Sequence, residues 1–414
     1  MLKLKKAFLE TESFMKILIA SDSYKYQTSG ASNVVIAMAD ELRRRGQDVK
    51  ILAMSNRRES FKDGDDYYIK SLPGLVYPDA RFSPVIKDPL LKELKEWRPD
   101  IIHMHTEMSA ARMARSIAAY DHTPYIMTSH TDYGRFVFGH YCNLRPVRML
   151  CKEVGRIAYR NAAVVTVPSS KALSFPQLNT LSDRVVVIPN GISLEKYGKR
   201  SLDSERQALF KQWGLKDNGH TIVMVTRISR EKNINEIVSC FPAILDELPD
   251  AQLLIVGDGP EREKLENIVA ESGISRQVTF TGRIPPEKVY MYYDMGDVFV
   301  SASTFEVHSL TYLEAMSHGL PLICRDDPCL KGVLSDGVNG YAYRTRSEFV
   351  DDVIRVLTHD QLRERMGTAS LDKSQEFSVE CCVDRMLELY KKVVDSRNSL
   401  QIDYDVLKTE LQQV

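Results

Sequence analysis

Short apolar runs alternate with helical-period segments along most of this chain, and polar or glycine-bearing loops separate them. Residues 16–20 (KILIA) read as a buried strand, and a polar loop carrying Gly30 follows. Val34, Val35, Ala37, Met38 and Leu42 then recur at helical spacing over 33–45, and Gly46 ends that helix. Residues 49–54 form the next apolar run. The order continues with a helix at 87–97, a strand at 101–105, a helix at 110–119 and strands at 124–128 and 163–167. A helix is expected to start at 168–171, a strand spans 185–188, and Pro189-Asn190-Gly191 is a turn signal. A second set of the same kind begins at 221–225. It carries a loop at 226–233, a helix at 234–244, a strand at 252–256 and a turn at 257–260 with a helix after it. A strand at 278–280 and a helix at 288–293 follow, then a strand from Val298, a short helix around Leu310 to Met316 and a strand at 320–324. Residues 347–360 and 378–394 read as helices, and the tail from Asp395 has weak periodicity. Strands alternating with helices predict an α/β class with two doubly wound, Rossmann-like domains. The charged, apolar-poor stretch 193–219 is the expected linker. Domains are therefore expected at 1–192 and 193–384, with a C-terminal helix at about 385–414 packing back on the first.

Composition narrows the class. A chain of 414 residues splits into two or three domains. Apolar content of 43% and charged content of 27% suit a globular protein, and a net charge of −1 gives no global pull towards nucleic acid. Seven cysteines without framework spacing suggest reduced thiols in a cytosolic setting. No apolar run approaches the roughly 20 residues that span a bilayer. Residues 1–14 are basic without a sustained apolar core, so the fold is expected to begin near Met15. Residues 133–163 differ in character. Arg135, Arg145, Arg148, Lys152 and Arg156 are interleaved with Phe136, Phe138 and other apolar residues, against one acid, Glu153. Such a stretch either lies on an anionic membrane surface or is a core helix with a solvated basic face.

Chemistry concentrates in residues 298–343. Glu306 falls in the loop after a strand, and Glu314 falls within the helix that follows. In open α/β sheets ligands bind at the C-terminal ends of strands. The amides of Ser309, Leu310 and Thr311 would face an anion there. Two carboxylates suit hydroxyls rather than phosphate. In the same half, Arg227 and Lys232 lie five residues apart in a loop leaving a strand, and two such cations suit a diphosphate. Diphosphate plus polyol outlines a nucleotide sugar. His103, His105 and His130 cluster at strand ends of the first half. The tripeptides Asp63-Gly-Asp65 and Asp403-Tyr-Asp405 read as chance acidic surface. No dinucleotide fingerprint, P-loop or zinc-protease motif is present.

With these residues assembled, the chain resembles the retaining family 4 glycosyltransferases of the two-domain GT-B fold. The likeness runs from Met15 to about Val394. It is carried by VTRISREKN (225–233), VGDGPEREKL (256–265), TFEVHSLTYLEAMSHGLPLI (304–323) and SDGVNGYAY (335–343). Within the family it is similar to the branch that glucosylates diacylglycerol, on IIHMHTEMS (101–109), MTSHTDYG (127–134) and RDDPCLKGVLSDGVNG (325–340). The resemblance implies two halves facing across a cleft, with the acceptor on the N-terminal side and the nucleotide sugar on the C-terminal side. It implies that Arg227 and Lys232 hold the donor diphosphate, Glu314 the ribose, Glu306 the sugar hydroxyls, and the amides around Ser309, Leu310 and Thr311 the distal phosphate. It places His130 near the reacting centre and lets the diphosphate approach Gly30. It implies no cofactor and no metal in the site. The implied activity is hexose transfer, with UDP-glucose as donor and a membrane lipid such as diacylglycerol as acceptor. A peripheral place on the cytoplasmic face of the cell membrane follows. Two alternatives stay open: a polysaccharide or lipid-linked glycan acceptor, and a weakly catalytic nucleotide-sugar sensor. The chain departs from the family at His308-Ser309, where glycine usually stands at the second position, and at the single glycine of Ser29-Gly30-Ala31.

Overall fold

The computed structural model describes residues 14–26, 30–73, 81–132, 157–178, 181–217, 219–396 and 404–411. The chain divides into two compact units. The first holds the chain up to Gly191 together with the part from Val379 onward, and the second is Ile192–Ser378.

The first unit is built on an eight-stranded sheet. Its strands are β1 (Lys16–Ser21), β2 (Asp48–Met54), β3 (Phe61–Asp63), β4 (Asp66–Ile69), β7 (Ile101–Met104), β8 (Tyr125–Thr128), β9 (Val164–Val167) and β10 (Val185–Val187). A separate two-stranded hairpin pairs β5 (Leu72–Pro73) with β6 (Arg81–Phe82). The sheet order is β10-β9-β8-β7-β1-β2-β4-β3, parallel throughout except at the β3–β4 edge. Strands β1, β7, β8 and β9 are buried along almost their whole length, which is why they read as continuous apolar runs without alternation. The helix Gly30–Arg44 lays Val35, Met38, Ala39 and Leu42 on this sheet. The helix Val379–Asp395 returns to the same core through Val383, Met386, Leu389 and Tyr390. Arg45 fastens the return: it pairs with Asp384 and donates to the Glu380 carbonyl at 3.1 Å.

The second unit carries a six-stranded parallel sheet, ordered β13-β12-β11-β14-β15-β16. These strands are β11 (Thr221–Val225), β12 (Gln252–Val256), β13 (Val278–Phe280), β14 (Val298–Ser301), β15 (Leu322–Arg325) and β16 (Gly340–Tyr343). The helices Ile234–Glu247 and Arg346–Thr358 contribute to one core layer, and Leu310–Ser317 to another. The order changes direction at β11, so the C-terminal ends of β11 and β14 flank a topological switch point.

Several expectations need correction. Residues 193–219 are no linker: Leu194–Tyr197 and Asp203–Trp213 are helices of the second unit, and Leu209 and Phe210 are buried. One buried face is enough to hold an otherwise charged helix, and a window average does not register it. The tail forms the helix Tyr404–Leu411, with Leu407 buried and the Tyr404 hydroxyl donating to the Ala163 carbonyl at 2.9 Å. Asp63, Gly64 and Asp65 are exposed, as the acidic-surface reading expects, but they lie at the turn of a hairpin that joins β3 to β4. Asp66 is buried and accepts from Lys25 at 2.7 Å and from Arg43 at 2.8 Å. Only a 3-10 turn, Ser170–Ser174, follows β9. The helix Asp360–Ser374 lacks a clear apolar stripe and was not legible as a helix. Gly30 is the first residue of its helix rather than part of the preceding loop, and the space around its Cα is open.

Candidate active site

In the second unit β11 ends at Val225 and the chain turns through residues 226–233. Thr226 N–H donates to the Val256 carbonyl at 3.0 Å, and Ile228 N–H donates to the Asp258 carbonyl at 2.9 Å. The turn after β12 thus clamps this loop from beneath. Arg227 is exposed on it. Lys232 closes a 3-10 turn, Arg230–Lys232, and Asn233 adopts a left-handed conformation (φ 52°) that redirects the chain into the helix Ile234–Glu247.

From the end of β14 the loop reaches Glu306, whose Oε1 pairs with Lys232 Nζ. Two of the four charged residues expected in the donor half are therefore in contact across 74 residues of sequence. Ser309 stands at the N-terminus of the helix Leu310–Ser317, and its side chain does not cap it. The hydroxyl instead meets Thr311 Oγ1 at 3.0 Å. The amides of the first turn are thus not satisfied by their own cap. Ser309 sits at φ −77°, ψ 121°, a conformation open to any residue, so the usual glycine is not required by the backbone here. His308 is buried against Phe377, with ring centroids 5.5 Å apart, and burial lowers its pKa to about 4.

Glu314 lies inside that helix and is 6% exposed. Tyr293, at the end of the helix Tyr290–Tyr293, donates its hydroxyl to Glu314 Oε2 at 2.7 Å. Burial pushes the carboxyl up to about 7, while the Tyr293 hydrogen bond and the charge of Lys196 pull it down. The two glutamates are thus unlike: Glu306 is ion-paired, and Glu314 is a buried acid with one phenol partner.

In the first unit three histidines meet at the C-terminal ends of β7 and β8. His103 is fully buried, with Nδ1 at 2.7 Å from the Tyr390 hydroxyl and Nε2 at 2.6 Å from Thr128 Oγ1. His105 Nδ1 lies 2.9 Å from His130 Nε2. Burial holds His103 near a pKa of about 3 and His130 near about 4, so these rings are neutral at neutral pH. Beside them the buried Tyr159 hydroxyl bonds Glu107 and lies 2.9 Å from Ser129 Oγ.

Residues 28–196 match the family model described as Glycosyltransferase Family 4, and residues 205–372 match that described as Glycosyl transferases group 1. An alpha-monoglucosyldiacylglycerol synthase from Streptococcus pneumoniae is 30% identical over 392 residues, covering 93% of this chain and 87% of its own length. The chain belongs to glycosyltransferase family 4. A second alpha-monoglucosyldiacylglycerol synthase, from Acholeplasma laidlawii, is 26% identical over 395 residues, covering 93% of this chain and 98% of its own. Among solved structures, Anabaena HepE in complex with UDP-glucose superposes with a TM-score of 0.70 at 18% identity, covering 91% of this chain and 99% of that one. The fold is that of the GT-B glycosyltransferases, two doubly wound α/β units in one chain.

For a family 4 chain, the glycines of VGDGPEREKL acquire a physical role. Gly257 has φ +139°, and a Cβ there would stand 1.9 Å from the Thr226 carbonyl oxygen. The strand end and the loop carrying Arg227 and Lys232 cannot both keep their places around a side chain. Gly257→Ala is expected to destabilise the chain by about 2–3 kcal/mol, in the range of strained backbone positions. Chemical denaturation checks this, and wild-type stability in that variant would contradict the close approach. The basic and aromatic candidates Arg135, Phe136, Phe138, Arg145, Arg148, Lys152 and Arg156 lie outside the described residues. Tyr293 was not singled out from the sequence. Its signal is faint, because nothing in a short tyrosine-rich helix marks which phenol meets a carboxylate.

Proposed function

We propose that this family 4 enzyme moves glucose from UDP-glucose to diacylglycerol at a membrane surface, with retention of anomeric configuration. The observation that carries the reading is the Lys232–Glu306 pair, set beside an uncapped helix N-terminus with the buried Glu314 on the same helix. Cation and amides suit a diphosphate, and the two carboxylates suit a hexose and a ribose. Lys232, Arg227 and the amides of residues 309–311 offset charge on the departing diphosphate. Glu306 accepts hydrogen bonds from sugar hydroxyls, and Glu314 accepts them from the ribose. The bond between the anomeric carbon and the phosphate oxygen breaks as the acceptor oxygen bonds to the same face. The acceptor's hydroxyl proton passes to the departing phosphate oxygen, and UDP leaves. With Arg227 and Lys232 as counter-charge, the site needs no metal for this step.

The lipid acceptor is supported by the two relatives, both alpha-monoglucosyldiacylglycerol synthases over nearly the whole chain. None of the described helices is long and apolar enough to cross a membrane, so the reading requires work at a surface, on the cytoplasmic face where nucleotide sugars are available. The test is transfer from a panel of nucleotide sugars to vesicles containing diacylglycerol and anionic lipid, with and without EDTA. Glucosyl-diacylglycerol formed from UDP-glucose, undiminished by EDTA, is the expected result. Turnover only on a glycan acceptor would move the acceptor assignment, and tight donor binding with no turnover would make the protein a sensor.

A further inference from the structure

At the C-terminal ends of β7 and β8, the surroundings of one histidine pair fix its proton arrangement. His105 is 3% exposed, and its Nε2 is buried without a hydrogen-bond partner. Its Nδ1 meets Nε2 of the partly exposed His130 at 2.9 Å, with the two rings tilted only 15° from parallel. His103 lies against His105 with ring centroids 4.0 Å apart, but both nitrogens of His103 are engaged by Tyr390 and Thr128. It cannot serve the orphan nitrogen.

Two neutral arrangements fit the 2.9 Å contact. In the first, His105 donates from Nδ1 and His130 accepts at Nε2. What remains unpaired in the interior is then a lone pair. In the second, His130 donates from Nε2, so His105 carries its own proton on Nε2, buried and without an acceptor. An orphaned buried N–H is the rarer of these two defects, and it forfeits a donor's full solvation. Charging His105 is opposed by burial and by the neighbouring rings, and charging His130 is opposed by burial.

We propose that His105 is a positioning residue that fixes His130 as the Nδ1–H tautomer, so that His130 offers a ligand oxygen a hydrogen-bond donor and not a base. This deepens the transfer reading and rests on it for the identity of the ligand. A donor at this place can polarise a hydroxyl. It cannot take the acceptor's proton, which agrees with that proton leaving on the phosphate.

The test is nitrogen–proton correlation spectroscopy of the full chain labelled with 15N-histidine, near pH 7.5 and without substrate. His130 is assigned by the signal lost in His130→Gln. The expected wild-type result is a protonated Nδ1 and a bare Nε2. In His105→Phe, His130 should move to the Nε2–H form that imidazole prefers in water. kcat should fall at least about tenfold with donor KM within about twofold. His105→Asn, whose amide can stand at the place of Nδ1, should keep the tautomer and most of kcat. A wild-type His130 protonated at Nε2 overturns the proposal, whether or not either variant folds. So does an unchanged tautomer in His105→Phe. Because the spectra need no substrate, a failure of the transfer reading, seen as no turnover of any donor, stays separate from this result.

Discussion

Replacing Glu306 by glutamine is expected to lower sugar transfer by about a thousandfold and, in the same protein, to tighten the binding of UDP. The first effect removes the charged acceptor proposed for the donor sugar's hydroxyls. The second follows from the ion pair. Glu306 and Lys232 keep only 15% and 22% of their side-chain surface exposed, so each is partly withdrawn from water and satisfied by the other. A diphosphate that needs Lys232 must displace the carboxylate and then tolerate it nearby. Glutamine keeps the shape and removes both penalties. A charged hydrogen bond contributes about 1.5–3 kcal/mol, so a gain of about tenfold in UDP affinity is a fair expectation after partial solvent screening. Lys232→Ala should move in the opposite sense and weaken UDP by about 1.5–3 kcal/mol. Isothermal titration with UDP reads both. If Glu306→Gln binds UDP no tighter and Lys232→Ala binds it no weaker, the pair does not belong to a diphosphate site.

The sequence showed most of what depends on local pattern. Parallel strands buried on both faces appear as unbroken apolar runs, so β1, β7, β8, β11, β12 and β14 were legible to within a residue or two. Elements that bury one narrow face were not. The helix Asp203–Trp213 holds its place with Leu209 and Phe210, and a window average over so charged a segment reads as linker. The β3–β4 hairpin was hidden because its turn is acidic and its buried aspartate, Asp66, is neutralised by Lys25 and Arg43 from elsewhere in the chain. The site followed the same division. Glu306, Arg227 and Lys232 stand in loops, and Glu314 in a helix, whose positions periodicity predicts. Which of them touch is a tertiary fact, and so are the partners that set their protonation. Tyr293 beneath Glu314 has no local signature, and His105 is visible only as one of the strand-end histidines, with no sign that it meets His130.

Glu314→Gln should stabilise the protein above neutral pH while weakening its hold on UDP. The carboxyl is 6% exposed, and burial raises its pKa from 4.5 to about 7. The folded state therefore binds the proton more tightly than the unfolded chain does. Between about pH 4.5 and 7 the native protein carries more protons at this site, so stability falls as pH rises through that window. Below it both states are protonated and the group costs nothing. Above it both are ionised and the whole penalty of a buried carboxylate is present. The shift corresponds to about 3 kcal/mol. Glutamine keeps an oxygen for the Tyr293 hydroxyl and never ionises, so it relieves the penalty at pH 8 and relieves nothing at pH 4.5. Thermal unfolding should show the variant more stable by several degrees at pH 8 and level with wild type at the acid end. UDP affinity should behave in the reverse way. It should rise in the wild type between pH 6 and 8 as the carboxylate forms, and it should be flat and about tenfold weaker at pH 8 in the variant, because a neutral amide accepts weaker hydrogen bonds than a carboxylate. A merely structural glutamate would lose or gain both quantities together. Opposite signs in stability and affinity, both governed by the same proton, are what a ligand-binding carboxylate held in an apolar helix face requires. Equal stabilisation at both pH values would show that Glu314 does not titrate near neutrality.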